Sequence, residues 1–308
     1  MTDTAQGAAH VKQRAGVRAR HDLAVLEVRG DDHRSWLNGQ LTNDVREPAT
    51  DASVYALVVT VKGKILADAW VLDAADCIRL AVPRDAVAAL LERFEQQIIM
   101  EDVAVAPSEL RVISVQGPLA RAVVQAAGIA QDACFGCDEL GFGGVFVLAT
   151  EDTHTDVMAK LVHAAQAQGG DAIDEAAFEL ARLRAGRGRF GLDFGARDYP
   201  QEAGLRDAAV SFEKGCYVGQ EVVHMLEHRG KVPRRLARLQ GEGALPAPGA
   251  SLRNASGTEV GAITSAVCDP DSGHTLALGY IARTAAEANA ALSANDQPFT
   301  IVGFAGET

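Results

Sequence analysis

The octapeptide Lys214-Gly215-Cys216-Tyr217-Val218-Gly219-Gln220-Glu221 sets one cysteine between two glycines, directly ahead of a helix-compatible run at 220–228. Glycine lets a backbone turn tightly or approach a ligand closely. A thiol at a helix N-terminus beside a lysine meets two conditions that favour the thiolate. By chemistry alone Cys216 reads as a nucleophile, a metal or cluster ligand, or a redox thiol. The competing reading is a small apolar residue in a core, a role that needs neither the glycines nor Lys214.

The motif sits inside a basic stretch. Residues 182–238 hold twelve Lys/Arg against seven Asp/Glu, a local +5 in a chain of net charge −12, which leaves −17 elsewhere. Such a stretch is either a solvated surface or a port for an anionic ligand, while the acidic whole disfavours general binding to nucleic acid. The 308 residues are 48% apolar and 23% charged, a globular balance with room for two or three cores. No apolar run is long enough to span a bilayer. The five cysteines lack a framework spacing, which points to free thiols in a reducing, cytoplasmic setting. The first twenty residues carry Lys12, Arg14, Arg18 and Arg20 without a continuous apolar segment. They fail as a secretory signal and read as a flexible basic tail.

Working outward, residues 22–28 read as a strand and 31–42 as a helix. Runs at 54–61, 65–72 and 77–82 are split by Lys62-Gly63-Lys64 and Asp73-Ala74-Ala75-Asp76, which predicts an antiparallel meander. Pro83 opens an amphipathic helix reaching about Met100. From 110 the order is strand 110–116, helix 118–127, strand 145–149, helix 153–168 and a short strand at 171–173, a ferredoxin-like alternation. A helix covers Glu175 to Ala185. β-like runs at 234–240, 259–267, 274–282 and 299–304 suggest a small antiparallel barrel. The fold class is therefore α+β. The divisions are a tail at 1–20, a first α+β domain from 21–108 and 175–230, a ferredoxin-like domain at 109–174 and a barrel at 231–308.

The octapeptide, with Arg229-Gly230 and Arg234-Arg235-Leu236 beyond it, closely resembles the signature of the YgfZ family of the aminomethyltransferase superfamily. Trp36-Leu37-Asn38-Gly39-Gln40-Leu41-Thr42-Asn43-Asp44-Val45 resembles the family's N-terminal signature. Pro200 and Glu202 match a Pro-x-Glu ahead of the cysteine motif. The segment from Tyr55 through Asp68 is similar to the strand pair that carries a tyrosine and an aspartate facing folate in aminomethyltransferases. The resemblance covers nearly the whole chain and implies a three-domain cloverleaf around a folate site. It also implies a role in maintaining iron–sulfur enzymes, including those that thiolate tRNA. The implied cofactor is tetrahydrofolate or another reduced folate, and the implied partners are iron–sulfur enzymes or their assembly factors. A monomer is expected, without direct nucleic-acid or membrane binding.

By that resemblance Cys216 and Asp68 are the candidate catalytic residues. Tyr55, Asp68, Asn43, Arg182, Lys214, Tyr217, Gln220 and Glu221 are the candidate folate-binding residues. A carboxylate beside folate amines can orient them or manage a proton, and a tyrosine offers a ring and a hydroxyl. Two departures stand out. Arg184 occupies the place where the superfamily usually has the glutamate that reads the pterin edge. Cys216 stands where the glycine-cleavage branch typically has a carboxylate. Whether the protein turns over a substrate is left open. The alternative to an accessory role is a tetrahydrofolate-dependent aminomethyl (one-carbon) transferase using Asp68, and a third reading is a non-catalytic adaptor. Cys134-Phe135-Gly136-Cys137 lacks the second pair of a zinc site. Glu221, His224 and His228 share a helical face but read as solvated or partly buried. Trp36, Cys77 and Cys268 are expected in cores.

Overall fold

The computed structural model describes residues 3–47, 52–230, 232–287 and 291–307. Its strands are β1 (Gly16–Ala19), β2 (Leu23–Arg29), β3 (Ser53–Val59), β4 (Ile65–Asp73), β5 (Ile78–Pro83), β6 (Ala104–Ser108), β7 (Arg111–Gln116), β8 (Cys134–Gly136), β9 (Gly144–Ala149) and β10 (Asp171–Ala172), followed by β11 (Arg234–Gly241), β12 (Ser251–Asn254), β13 (Glu259–Cys268), β14 (Thr275–Ala282), β15 (Leu292–Ala294) and β16 (Gln297–Phe304). The helices are α1 (Thr4–Gln13), α2 (His33–Gln40), α3 (Val87–Glu95), α4 (Ala120–Ala126), α5 (Glu151–Gln166), α6 (Glu175–Ala185), α7 (Arg206–Ala209), α8 (Gln220–Arg229) and α9 (Arg283–Glu287).

The chain forms two compact units. One comprises residues 1–59, 66–178 and 211–218, and the other residues 60–65, 179–210 and 219–308. By this grouping, 179–210 and 219–230 go with the barrel, where the sequence reading joined 175–230 to the first sheet.

The first unit holds two five-stranded sheets. In one the order is β3-β4-β5-β2-β6, the expected meander closed by two further strands. Along β4, Ile65, Ala67, Ala69 and Val71 are buried while Leu66, Asp68 and Trp70 are half-buried. Side chains alternate across a strand, so the second set shares one face of the sheet. Val25, Leu72 and Ala81 on that face pack with Val112, Phe146 and Leu148 of the other sheet, and Trp70 packs against this cluster.

The other sheet runs β10-β1-β7-β9-β8. Without β1 this is the ferredoxin-like order. With it, the sequence expectation for the N-terminus is corrected. The expected tail 1–20 is a helix and a strand, with Met1 and Thr2 outside the described residues. β1 lies parallel to β10 and antiparallel to β7, and Val11 and Val17 are fully buried. Its small apolar residues (Ala8, Val11, Ala15, Val17) cover a core that bulky residues supply elsewhere, so hydropathy alone undersells the segment. A Cβ at Gly117 would fall 2.5 Å from the Arg14 carbonyl oxygen, so that close approach of chain to chain requires glycine.

The second unit is built on the barrel. Among the described residues its strands close in the order β11-β14-β13-β12-β15-β16, all pairs antiparallel. Ala237, Leu239, Leu252, Ile263 and Phe299 fill its interior. Closure leaves the barrel no free sheet edge. Among the described residues no helix is long and apolar enough to cross a membrane.

Candidate functional site

In the first unit the two signature segments, far apart in sequence, are bonded to one another. The Lys214 ammonium is buried and donates to three backbone carbonyls, of Asn38 (2.6 Å), Leu41 (2.8 Å) and Asn43 (2.7 Å). The Val218 amide donates to the Gly39 carbonyl at 3.1 Å, and the Ser211 amide to the Thr42 carbonyl at 3.0 Å. The cysteine loop is thus stitched to the C-terminal end of α2, where helix carbonyls lack intrahelical partners and the dipole favours a cation. Burial lowers the lysine to about 8, while the carboxylate of Asp44 opposes that fall.

This corrects one expectation about Cys216. Lys214 has three N–H donors and all three are taken by carbonyls, so none is left for a thiolate or a ligand. α8 begins at Gln220, with Gly219 as its cap in the left-handed region at φ 83°, which places Cys216 four residues ahead of the helix. Gly219 is the glycine that needs its conformational freedom. Gly215 and Gly39 serve differently: a Cβ at either would meet nothing within 4 Å. Cys216 is exposed in this loop.

From α2 the network continues to β3. The Asn43 side-chain amide donates to the Tyr55 carbonyl at 2.9 Å, and its oxygen accepts from the Asp44 amide. Thr42 accepts the Leu57 amide on its hydroxyl at 2.9 Å. The Tyr55 hydroxyl donates to Asp68 Oδ2 at 2.8 Å. Burial pushes the Asp68 carboxyl above the usual carboxylate range, and the hydrogen bond from Tyr55 partly offsets this. Trp70, two residues on and on the same strand face, lies 4.7 Å from the Tyr55 ring between centroids and meets Phe146 edge-on at 5.8 Å. Sequence reasoning missed Trp70, although period-two counting from Asp68 finds it. It also missed Arg20, whose guanidinium is bidentate on Asp22 at 2.9 Å and pairs with Glu139, and whose charge acts on Asp68.

The remaining candidates are more structural. Tyr217 is buried, which raises its phenol, and its ring lies 5.3 Å from the Lys214 ammonium. In the second unit Arg182 is 2% exposed. Its donors go to Glu179, Asp193, the Arg187 carbonyl and Ser265, which uses every N–H of the guanidinium. It is a packing hub with no donor left for folate. Gln220 meets the His224 ring at 3.3 Å and Glu221 is exposed. Arg184 pairs with Asp269 and Asp271, Arg206 with Glu227, and Arg234 with Asp198. Because Glu179, Asp269 and Asp271 lie outside 182–238, they offset part of its local +5 in space, and its reading as an anion port weakens.

The other thiols separate by burial. Cys134 and Cys137 lie in and beside β8, and burial pushes them to about 11 and about 12. Their sulfurs donate to the Ala130 carbonyl and to Ser53 Oγ respectively. Cys77 is buried, but Cys268, expected in a core, is exposed at the end of β13. Among the described residues no three His, Cys, Asp or Glu side chains converge to hold a metal.

Comparison with known proteins places this geometry. Residues 2–150 match the GCVT N-terminal domain, and residues 234–303 match the CAF17 C-terminal beta-barrel domain. An aminomethyltransferase of Cutibacterium acnes is 28% identical, covering 92% of this chain and 83% of the relative. The tRNA-modifying protein YgfZ of Aliivibrio fischeri is 25% identical, covering 85% and 83%. The crystal structure of the glycine cleavage system aminomethyltransferase T from Bartonella henselae superposes with a TM-score of 0.85 at 19% identity, covering 97% of this chain and 88% of that one, and so shares its fold. With one domain match at each end and a shared fold across the whole, the chain belongs to the YgfZ-like family within the aminomethyltransferase superfamily.

Proposed function

We propose that the protein is a folate-binding accessory factor that supports assembly or repair of iron–sulfur enzymes, among them enzymes that thiolate tRNA, and that it acts through Cys216. The observation that carries the ligand half of this reading is the Tyr55–Asp68 pair. A half-buried carboxyl, a hydroxyl and the Trp70 ring share one strand pair, and this set fits a flat heterocycle bearing N–H groups. Asp68 would accept from such an N–H, Tyr55 would hold the carboxyl in place, and Trp70 would pack against the ring. Arg184, tied to Asp269 and Asp271, has a guanidinium with no acceptor to give a heterocycle N–H, so recognition of the heterocycle falls to Asp68. A reduced folate, when bound, supplies a carrier for one-carbon units.

The Cys216 half rests on an exposed thiol in a loop that Lys214 anchors to the segment bearing Asn43, which in turn bonds Tyr55. The tRNA half draws on relatives described as tRNA-modifying. Aminomethyl transfer by Asp68 is the second reading, favoured by relatives of that name. It shares the ligand but leaves Cys216 without a part.

Calorimetry with tetrahydrofolate tests the ligand. Wild type should give a saturable binding heat, and Asp68→Asn should bind about tenfold more weakly or worse, since one of the two carboxyl oxygens becomes an amide NH2 that cannot accept the ligand N–H. No heat at millimolar ligand, or equal affinity for the Asn variant, would remove Asp68 as the recognition group.

A further inference from the structure

Between α3 and β6 the loop 96–103 holds Ile99 at 82% exposure and Met100 at 93%, the most exposed large apolar side chains among the described residues. Single exposed apolar residues are ordinary, but two adjacent ones on a fixed loop tip mark a contact surface. The loop is firmly held. The amides of Ile99 and Met100 both donate to one carboxylate oxygen of Glu101, each at 3.0 Å. The Trp36 indole N–H donates to the Gln97 carbonyl at 3.1 Å. The Asp102 amide donates to Asp32 at 2.9 Å, and the Asp31 amide to Asp102 at 3.1 Å. The backbone that carries the two side chains is therefore set before any partner arrives, which lowers the ordering cost of binding.

The surroundings are predominantly acidic. Asp31, Asp32, Glu95, Glu101 and Asp102 are all exposed around the tip. Of the neighbouring cations, Arg29 is engaged with Glu27 and Asp76, and Arg34 with Asp73 and the Val45 carbonyl. His33 bonds the Gly30 carbonyl, and Arg93 lies in the last turn of α3. We infer that loop 96–103 is a docking knob for a protein partner whose surface offers an apolar pocket rimmed by lysine and arginine. The apolar tip would enter the pocket and the five carboxylates would face the basic rim, which speeds encounter and fixes orientation. Phosphates of a nucleic acid or of anionic lipid would meet this acidic ring with repulsion. α2 starts beside the knob and ends at the carbonyls that hold Lys214, and its eight residues span about 12 Å. A partner on the knob would therefore stand close to the Cys216 loop.

The test places a photo-crosslinking amino acid at Met100 in the full chain inside its own cells. The protein captured is then purified and its affinity measured by calorimetry against wild type and Ile99→Ser/Met100→Ser. Both side chains are exposed, so the double variant should melt as wild type does. The expected result is a heterologous partner that binds the double variant at least about tenfold more weakly. Binding to wild type should also weaken several-fold between roughly 50 and 300 mM salt, as a charge-steered contact requires. Any of four results overturns the inference: no adduct, an adduct to a second copy of this chain, an affinity indifferent to the double variant or to salt, or association with phosphatidylcholine vesicles that the double variant abolishes. Neither folate nor Cys216 enters the measurement, so its failure leaves the function proposed above standing.

Discussion

Lys214 carries its charge where carbonyl oxygens take all of its N–H donors. Its neighbour in sequence is Cys216, yet its bonding partners are Asn38, Leu41 and Asn43, more than 170 positions away. Sequence proximity suggested a lysine that activates a thiol, but the folded chain makes it a clamp on the thiol's loop. The clamp has a pH signature. The folded lysine sits near 8, below its ordinary value near 10.5. Between those limits the unfolded chain binds more protons, so stability from this group rises with pH across that window. We expect wild type to gain about 2 kcal/mol over Lys214→Met between about pH 7 and pH 9.5 in urea denaturation. A difference that is flat or falls with pH would mean that the ammonium is not desolvated as described. Arg182 teaches the same lesson, because its partners Asp193 and Ser265 could not be read from the Arg182-Leu183-Arg184 segment.

Secondary elements were legible where periodicity was strong. The alternation along β4 that singles out Asp68 also places it beside Tyr55, and α6 spans Glu175–Ala185 as its pattern predicts. The barrel strands β11, β13, β14 and β16 follow from turn spacing, whereas β12 and β15, of four and three residues, are too short to stand out. β1 was illegible for another reason. Its four residues include Arg18, and it pairs with β7 and β10, strands that the chain supplies only far downstream, Gly16 meeting Gln116 and Asp171. Arg18 itself is buried, with its guanidinium over the Phe178 ring at 4.0 Å and paired with Glu175. If β1 is integral to the sheet, Val17→Asp puts an unpaired carboxylate into a closed core and should cost several kcal/mol. Melting should fall by about 10 °C, read by circular dichroism. An unchanged melting temperature would return residues 1–20 to the status of a tail.

Across the molecule, charge that looks segregated in sequence is paired in space. The arginines of 182–238 meet carboxylates outside that stretch at Glu179, Asp269, Asp271 and Glu307. What remains distinctive is the line from Asp68 through Tyr55, Asn43 and Lys214 to the Cys216 loop, which joins the proposed ligand group to the exposed thiol within one compact unit. The family resemblance pointed to those residues singly, and the hydrogen bonds make them one assembly. The central claim is that the protein works through Cys216. Because that side chain is exposed, alanine there should leave the fold and melting temperature unchanged. The most direct measurement is iron–sulfur enzyme activity in a deletion strain carrying either wild type or Cys216→Ala at equal expression. The account predicts recovery with wild type and activity at the deletion level with Cys216→Ala, whereas full recovery with Cys216→Ala would contradict it.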